Sequence, residues 1–411
     1  MKGRAEIEGR KGREKKSGFA LLVVILIIAV LAAMVGEFLF GVRLHAELLS
    51  NHRNGLKCRY IGRSVFNAYR YIIDANLLST ANNPNFLMLS TWVGLGSGVE
   101  GAISSAEVGG SLGFGSSPLE PDPQGPLRGQ WSIPIPNGIF DLEGEMYGRL
   151  VNERGKLNLN GIITPTQTDR TQDTVNRTTY YRLLTLFTRL GIQEGDAIVC
   201  LDSLVDWVDG NAGTEPNGAE EDYYKSLSEH PYSARNDFLQ SVDEMRLVRG
   251  CTPDMVERVK PFLTVFPRQG IQANGMPDNR IDAAAAPKEV LMAVFMAPTE
   301  DGRASANDET ASSLIADEIY TKAMEKCAVS VTVSASGDVS ASGCTLLNGD
   351  DVKGIIGNRL QGNFDFYTQG NTDPIYYHID AVGVINNVRA GIEAVVQKTV
   401  QKSTILYWRE D

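Results

Sequence analysis

FALLVVILIIAVLAAMVG, residues 19–36, carries no charged side chain and follows a basic stretch, GRKGREKKSG, that ends at Gly18. As a helix its 18 residues rise roughly 27 Å, close to the ~30 Å hydrocarbon core of a bilayer. A secretory signal would end its apolar core at a small-x-small cleavage site. Here Glu37-Phe38-Leu39-Phe40 follow without one. The leader, residues 1–18, holds seven Lys/Arg against three Asp/Glu, which favours a cytoplasmic start. Residues 41–75 are basic too, so that cue is imperfect. Read alone, the junction predicts a membrane anchor for a periplasmic body.

Beyond the span the helix continues over residues 41–76. Cys58, Ile61, Val65, Tyr69 and Ile72 recur at spacings of three and four and form one apolar stripe. Residues 80–130 are rich in Gly, Ser and Pro and read as a long loop. Strand patterns begin at WSIPI near Trp131. GRLVNERGKLNLN predicts a hairpin turning at Glu153-Arg154-Gly155, with Leu157 and Leu159 on one face. Strand patterns return near residue 328 and run through IYYHIDAVGVI (375–385) and GIEAVVQKTV (391–400) to the tail TILYWRED. Between them lie helical patterns: TTYYRLLTLFTRLG to Gly191, AIVCLDSLVDWVDG to Gly210, two short helices about Gly250, APKEVLMAVFMA, and ASSLIADEIYTKAMEKC. Strands, helices, then strands again predict an α+β fold with an all-α domain inserted between strands.

The chain has 411 residues and a net charge of −11, or −15 once the +4 of the leader is taken away. That balance speaks against nucleic acid and suits divalent cations. Five cysteines occur without a CxxC, and the four histidines, His45, His52, His230 and His378, are scattered, so no zinc or catalytic pattern emerges. Cys327 and Cys344 flank an alternating strand-and-turn sequence and are the favoured disulfide. Cys200 and Cys251 sit in apolar helical patterns and read as core or as a second bridge, leaving Cys58 over.

The densest acidic run is DWVDGNAGTEPNGAEED. It brings Asp206, Asp209, Glu215, Glu220, Glu221 and Asp222 into 17 residues rich in Gly and Asn, with Asn236 as a weaker addition. Such a loop is either solvated acid or a calcium site, since calcium takes six to eight oxygens from flexible loops. It is not an EF-hand. VDEMRLVRGCTPDMVERV resembles a helix-hairpin-helix, but its acidic setting favours a structural role. There Thr252-Pro253 reads as an N-cap followed by Pro at N1.

Lys15-Lys16-Ser17-Gly18-Phe19-Ala20-Leu21-Leu22 resembles the type IV prepilin cleavage site. The resemblance implies cutting after Gly18 by a prepilin peptidase and methylation of Phe19. Most such proteins carry Glu as the fifth mature residue, where this chain has Val23. That absence is similar to the K component of type II secretion, a large minor pseudopilin. So are GRLVNERGKLNLN, LVDWVDGN, EPNGAEEDYY, the run from HPYSARN to VDEMRLVRGCTP, NRIDAAAAPKEVL and ILYWRED, in that order; Ala283–Ala286 depart from the usual wording.

This resemblance implies a type IV pilin-like fold, a long N-terminal helix packed on an antiparallel sheet. The expected parts are a leader (1–18), a transmembrane half-helix (19–40), a first pilin-like part (41–160), the helical insertion (161–325) and a second pilin-like part (326–411). It implies a single-pass inner-membrane protein with a periplasmic body that binds calcium. Its expected partners are the I, J and H minor pseudopilins, the major pseudopilin and the peptidase, and no nucleic acid. The expected role is non-enzymatic: starting or capping the pseudopilus that exports folded proteins. The alternative is an anchored periplasmic calcium-binding or enzymatic domain unrelated to a filament.

Overall fold

The computed structural model describes residues 8–74, 131–134, 145–166, 170–268, 279–326, 330–333, 339–342, 347–362, 364, 366–367, 374–399 and 402–410. Helix α1, Glu8–Asp74, runs without a break from the leader through the apolar run into the body. Among the described residues it alone is long and apolar enough to cross a membrane; its most apolar window has a mean hydropathy of 2.9 and none of it is buried.

The stripe read in the second half of α1 is the face that packs on the sheet. Cys58, Ile61, Val65 and Tyr69 are buried, with Phe66 and Ile73 beside them; the Ile72 side chain lies outside the described residues. Strands β1 (Trp131–Pro134), β2 (Glu145–Asn152), β9 (Ile375–Ile385), β10 (Val388–Lys398) and β11 (Ser403–Glu410) form one antiparallel sheet in the order β1-β2-β9-β10-β11. Alternation along β9 and β10 gives the sheet two faces. Ile379, Ala381, Ile392, Ala394 and Val396 pack with the α1 stripe, while Tyr376 and Val395 join the core of the helical segment on the other side.

Gly383 marks the closest approach of α1. A Cβ there would run into the carbonyl of Cys58 and lie 2.8 Å from Cβ of Ile61. Gly383→Val should therefore push α1 off β9 and cost about 1–3 kcal/mol, or somewhat more, as overpacking does. An unchanged urea midpoint for that variant would refute the contact.

Between β2 and β9 lie the short strands β3 (Leu157–Asn158), β4 (Ile163–Thr164), β5 (Thr174–Val175) and β6 (Leu263–Thr264), and the hairpin β7 (Ser330–Val333) and β8 (Val339–Ser342). The helices there are α2 (Arg177–Arg189), α3 (Glu194–Val208), α4 (Glu221–Lys225), α5 (Pro253–Val259), α6 (Lys288–Met296), α7 (Glu309–Lys326) and α8 (Gly349–Ile356). The fold is thus the expected α+β arrangement, a long helix on an antiparallel sheet with helices inserted between strands. Leu183, Leu186, Phe187, Leu201, Leu204 and Val256 lie in the helical core.

The predicted hairpin at 148–160 does not form. After β2 the chain makes a 3-10 turn at Glu153–Gly155, and β3 pairs in parallel with β6 instead of returning along β2. The turn is buried, which redirects the chain. Glu153 takes Lys156 at 2.6 Å, and a Cβ on Gly155 would strike the backbone of Ala285. The four-alanine run that departs from the usual wording packs on this turn. Its hydrogen bonding is met by Asp282, whose amide donates to the Arg154 carbonyl and whose Oδ1 accepts from the Ala284 amide.

A charged network also ties sheet to insertion. His378 on β9 stands 3.4 Å from Glu153, 3.1 Å from Asp380 and 3.6 Å from Glu393. Arg409 on β11 bridges Glu393 to Asp243, which also holds Lys260.

Candidate metal centre

The acidic run starts on the last turns of α3. Alternating apolar and acidic positions on that helix bury Leu204, Val205 and Val208 together with Asp202 and Asp206. Asp202 is satisfied: Oδ1 accepts from the Tyr180 hydroxyl at 2.6 Å, and Oδ2 from the amide and side chain of Asn217. This residue lies one turn before the predicted cluster, and sequence reading missed it. Its spacing of four from Asp206 was the available signal.

Three of the six predicted carboxylates turn inward. Asp206 and Asp209 are buried, and Glu220 is half-buried. Asp206 Oδ1 accepts from the Glu215 amide at 2.9 Å, and Asp209 Oδ2 from Asn211 at 2.7 Å. Their other oxygens, Asp206 Oδ2 and Asp209 Oδ1, are buried without a hydrogen bond, as is Glu220 Oε1. Gly218 makes room for this group, since a Cβ there would collide with Asp206 Oδ2.

The other three turn elsewhere. Glu215 pairs with Arg177 at 3.2 Å. Glu221 pairs with Lys225 and accepts from the Ala234 amide at 2.7 Å. Asp222 is exposed. Asn236, the weaker candidate, has a left-handed backbone (φ 49°) and donates its amide to the Trp207 carbonyl.

Burial raises the carboxyl of Asp206 to about 7, with Glu220 and Glu215 adding to the effect. Burial likewise raises Asp209 to about 7, reinforced by the charges of Glu220 and Asp206. Glu220 is raised for the same first reason. Three acids here resist carrying charge together, and an unpartnered buried carboxylate oxygen is costly. A hard cation removes both problems, so the donor set fits calcium, whose ligands are carboxylate and carbonyl oxygens. Among the described residues no three acidic, His or Cys side chains already close around an ion.

The helix-hairpin-helix resemblance resolves into a structural clasp. A 3-10 turn, Val242–Leu247, and α5 flank Gly250 (φ 79°). A Cβ on Gly250 would lie 2.7 Å from Val199, so the glycine faces α3. Thr252 caps α5 with Pro253 behind it, as read from sequence. Cys251 forms a disulfide with Cys200 on α3, with Cα atoms 4.8 Å apart. The weaker cysteine pair is therefore the bridge seen, while the favoured Cys327 and Cys344 lie outside the described residues. Cys58 is free and buried.

Residues 155–268, which hold this site and its clasp, match the family described as Type II secretion system (T2SS), protein K. The chain is 27% identical over 142 residues to type II secretion system protein K of Aeromonas hydrophila, covering 34% of this chain and 43% of that one. It is 29% identical over 172 residues to the protein of that name from Pectobacterium carotovorum, covering 40% and 48%. The chain thus spans less than half the length of these protein K relatives. A crystal structure of the GspK-GspI-GspJ complex from the enterotoxigenic Escherichia coli type 2 secretion system matches with a TM-score of 0.40 and 16% identity, over 69% of this chain and 83% of that one.

Proposed function

We propose that this chain is a minor pseudopilin that starts or caps a type II secretion pseudopilus, and that it has no enzymatic activity. The observation that carries the reading is α1. One unbroken helix carries an exposed apolar half, with Phe19 and Val23 at its beginning, and a second half clamped to the sheet. Such a rod can rest in the inner membrane, keep the body in the periplasm, and later be drawn into a stack of like helices. The match of residues 155–268 to the protein K family supports the choice among pilin-like subunits.

Gly18 fits processing by a prepilin peptidase. It stands inside α1, where a helical backbone has no need of glycine and Ala would serve better by about 1 kcal/mol. Cleavage after Gly18 leaves Phe19 as the methylated N-terminus. Val23 avoids placing a carboxylate in the bilayer, which costs ~2.5–3.5 kcal/mol, and leaves no group to recruit the amine of a neighbour. With the helical block borne on the sheet face opposite α1, this favours the end of a stack over its shaft, next to other minor pseudopilins. Calcium, held by Asp206, Asp209 and Glu220 with loop carbonyls, would order the block without taking part in chemistry.

Mass spectrometry of the protein from its own host should find N-methylated Phe19 as the first residue. Gly18→Ala should leave the leader attached and abolish secretion. An intact leader on the wild-type chain, or normal processing of the variant, would return the protein to a plain membrane anchor.

A further inference from the structure

Helices α2, α6 and α7 leave a cleft of about 360 Å³ between them. That is at the small end of ligand clefts, which run from about 300 to 1,000 Å³. It shares no described lining residue with the acidic loop. Glu289 and Met292 stand one turn apart on α6, and Thr310 and Leu314 one turn apart on α7, so each helix turns a polar and an apolar side chain to the same opening. Met292 is buried and forms the floor, while Leu314 is exposed and forms the rim.

The charges around this cleft do not balance. Lys288 donates to both carboxylate oxygens of Asp317 at 2.7 Å, and Arg189, the last residue of α2, pairs with Glu309 at 3.0 Å. Both cations are taken, and Glu289 is left over. Its Oε2 is buried and accepts no hydrogen bond among the described residues. Two cations against three carboxylates leave one negative charge. The first turn of α6 favours that charge, because its free amides carry the positive end of the helix dipole. A buried carboxylate oxygen without a donor is costly, so the cleft is incomplete until a donor enters it.

We propose that this cleft binds a primary ammonium group carried on an alkyl stem, with the ammonium donating to Glu289 and the stem lying between Met292 and Leu314. Neither the membrane helix nor the acidic loop takes part. An anion is opposed by the net charge and finds Lys288 and Arg189 already engaged. A calcium ion is poorly served too, since it takes six to eight oxygens and Glu289 is the one unpaired carboxylate among the described lining residues. An alkylammonium needs one acceptor beside an apolar wall, and α6 supplies the two one turn apart. The same chemistry arrives either as a free aliphatic amine or as the lysine side chain of a peptide.

The test follows the methyl NMR signal of Met292, assigned with Met292→Leu, in the full-length chain in detergent. Titration with n-pentylamine should shift that signal saturably. n-Pentanol, the same stem without the charge, should bind at least roughly tenfold more weakly. Each methylene removed from the amine should weaken binding by up to about fourfold. Glu289→Gln keeps the shape and removes the charge, so it should weaken pentylamine roughly tenfold and leave pentanol unchanged. An unchanged or raised melting temperature reports its intact fold. Leu314→Ala, at an exposed position, should flatten the dependence on stem length. Nα-acetyl-lysine methylamide separates the two sources. Tighter binding than pentylamine assigns the cleft to a peptide lysine, weaker binding assigns it to a free amine, and either result upholds the site. The absence of a saturable shift with both compounds overturns the proposal. So do equal affinities for pentylamine and pentanol, full affinity in Glu289→Gln, or a shift of Met292 by calcium chloride in place of the amine.

Discussion

Removing divalent cations with EDTA should lower the melting temperature of the purified protein, and adding calcium back should restore it. With free calcium at 100 times its dissociation constant, binding to the folded state alone contributes about 2.7 kcal/mol. For a domain of 150–250 residues that corresponds to roughly 5–11 °C. Magnesium at the same concentration should restore less, because it demands a tighter octahedral shell and gives up water reluctantly. A melt indifferent to EDTA would sink the calcium reading.

The pH dependence makes this expectation more specific. Asp206 and Asp209 are raised from an ordinary 3.8 to about 7 when folded, chiefly by burial. Between those values the folded state keeps protons that the unfolded chain has released. In EDTA these two acids therefore make stability fall as pH rises from about 4 to 7, with the loss complete above 7. Calcium favours the deprotonated acids, so its stabilising effect should grow over the same range. His378 adds a fall of the same sign. Although burial alone would lower it, Asp380 and Glu153 raise it to about 9, and its contribution is lost as pH climbs from 6.5 through 9. That fall occurs with or without calcium, so the difference between the two conditions isolates the acidic site. Asp206→Asn separates the terms further. It removes a repelling charge and should melt higher than wild type in EDTA at pH 8, yet lose most of its response to calcium.

How far the sequence foretold this site depended on range. The stripe at Cys58, Ile61, Val65 and Tyr69, the helix of α2 ending before Gly191, and the Thr252-Pro253 cap are set by neighbours three or four residues away, and they were legible. Strand β9 matched its predicted bounds because its two faces alternate cleanly between α1 and the insertion. The hairpin after β2 was misread because Gly155 looks like turn chemistry, whereas its smallness serves contact with Ala285, 130 residues on. Helix α8 went unread because GDDVKGII holds few apolar positions, although Asn348 and Asp351 form a capping box. In the acidic run, composition marked the loop but not the members that turn inward. Glu215 and Glu221 were diverted by Arg177 and Lys225, and Asp202 was absorbed by Tyr180 and Asn217, pairings that only the packed helices create.

Replacing both Cys200 and Cys251 with Ala should destabilise the protein by about 4 kcal/mol on the chain-entropy estimate for a bridge closing a 51-residue loop. That predicts a drop of roughly 8–16 °C in melting temperature. The closed loop contains all six acidic positions from Asp206 to Asp222, so the effect should reach beyond stability. Arg249, two residues before Cys251, donates to the Gly218 carbonyl at 2.7 Å, and Gly218 backs onto the Asp206 carboxylate. The bridge holds that arm against α3. Without it the loop has more freedom to lose when an ion draws its oxygens together, so calcium affinity should weaken along with the fold. A comparison of wild type, the double alanine variant, Asp206→Asn and the combination tests this. Distant, independent sites would give additive losses within about 0.5 kcal/mol. Here the calcium increment in the melt should shrink when the bridge is absent. Strict additivity would mean that the disulfide stabilises the helical block without preparing the acidic loop for an ion.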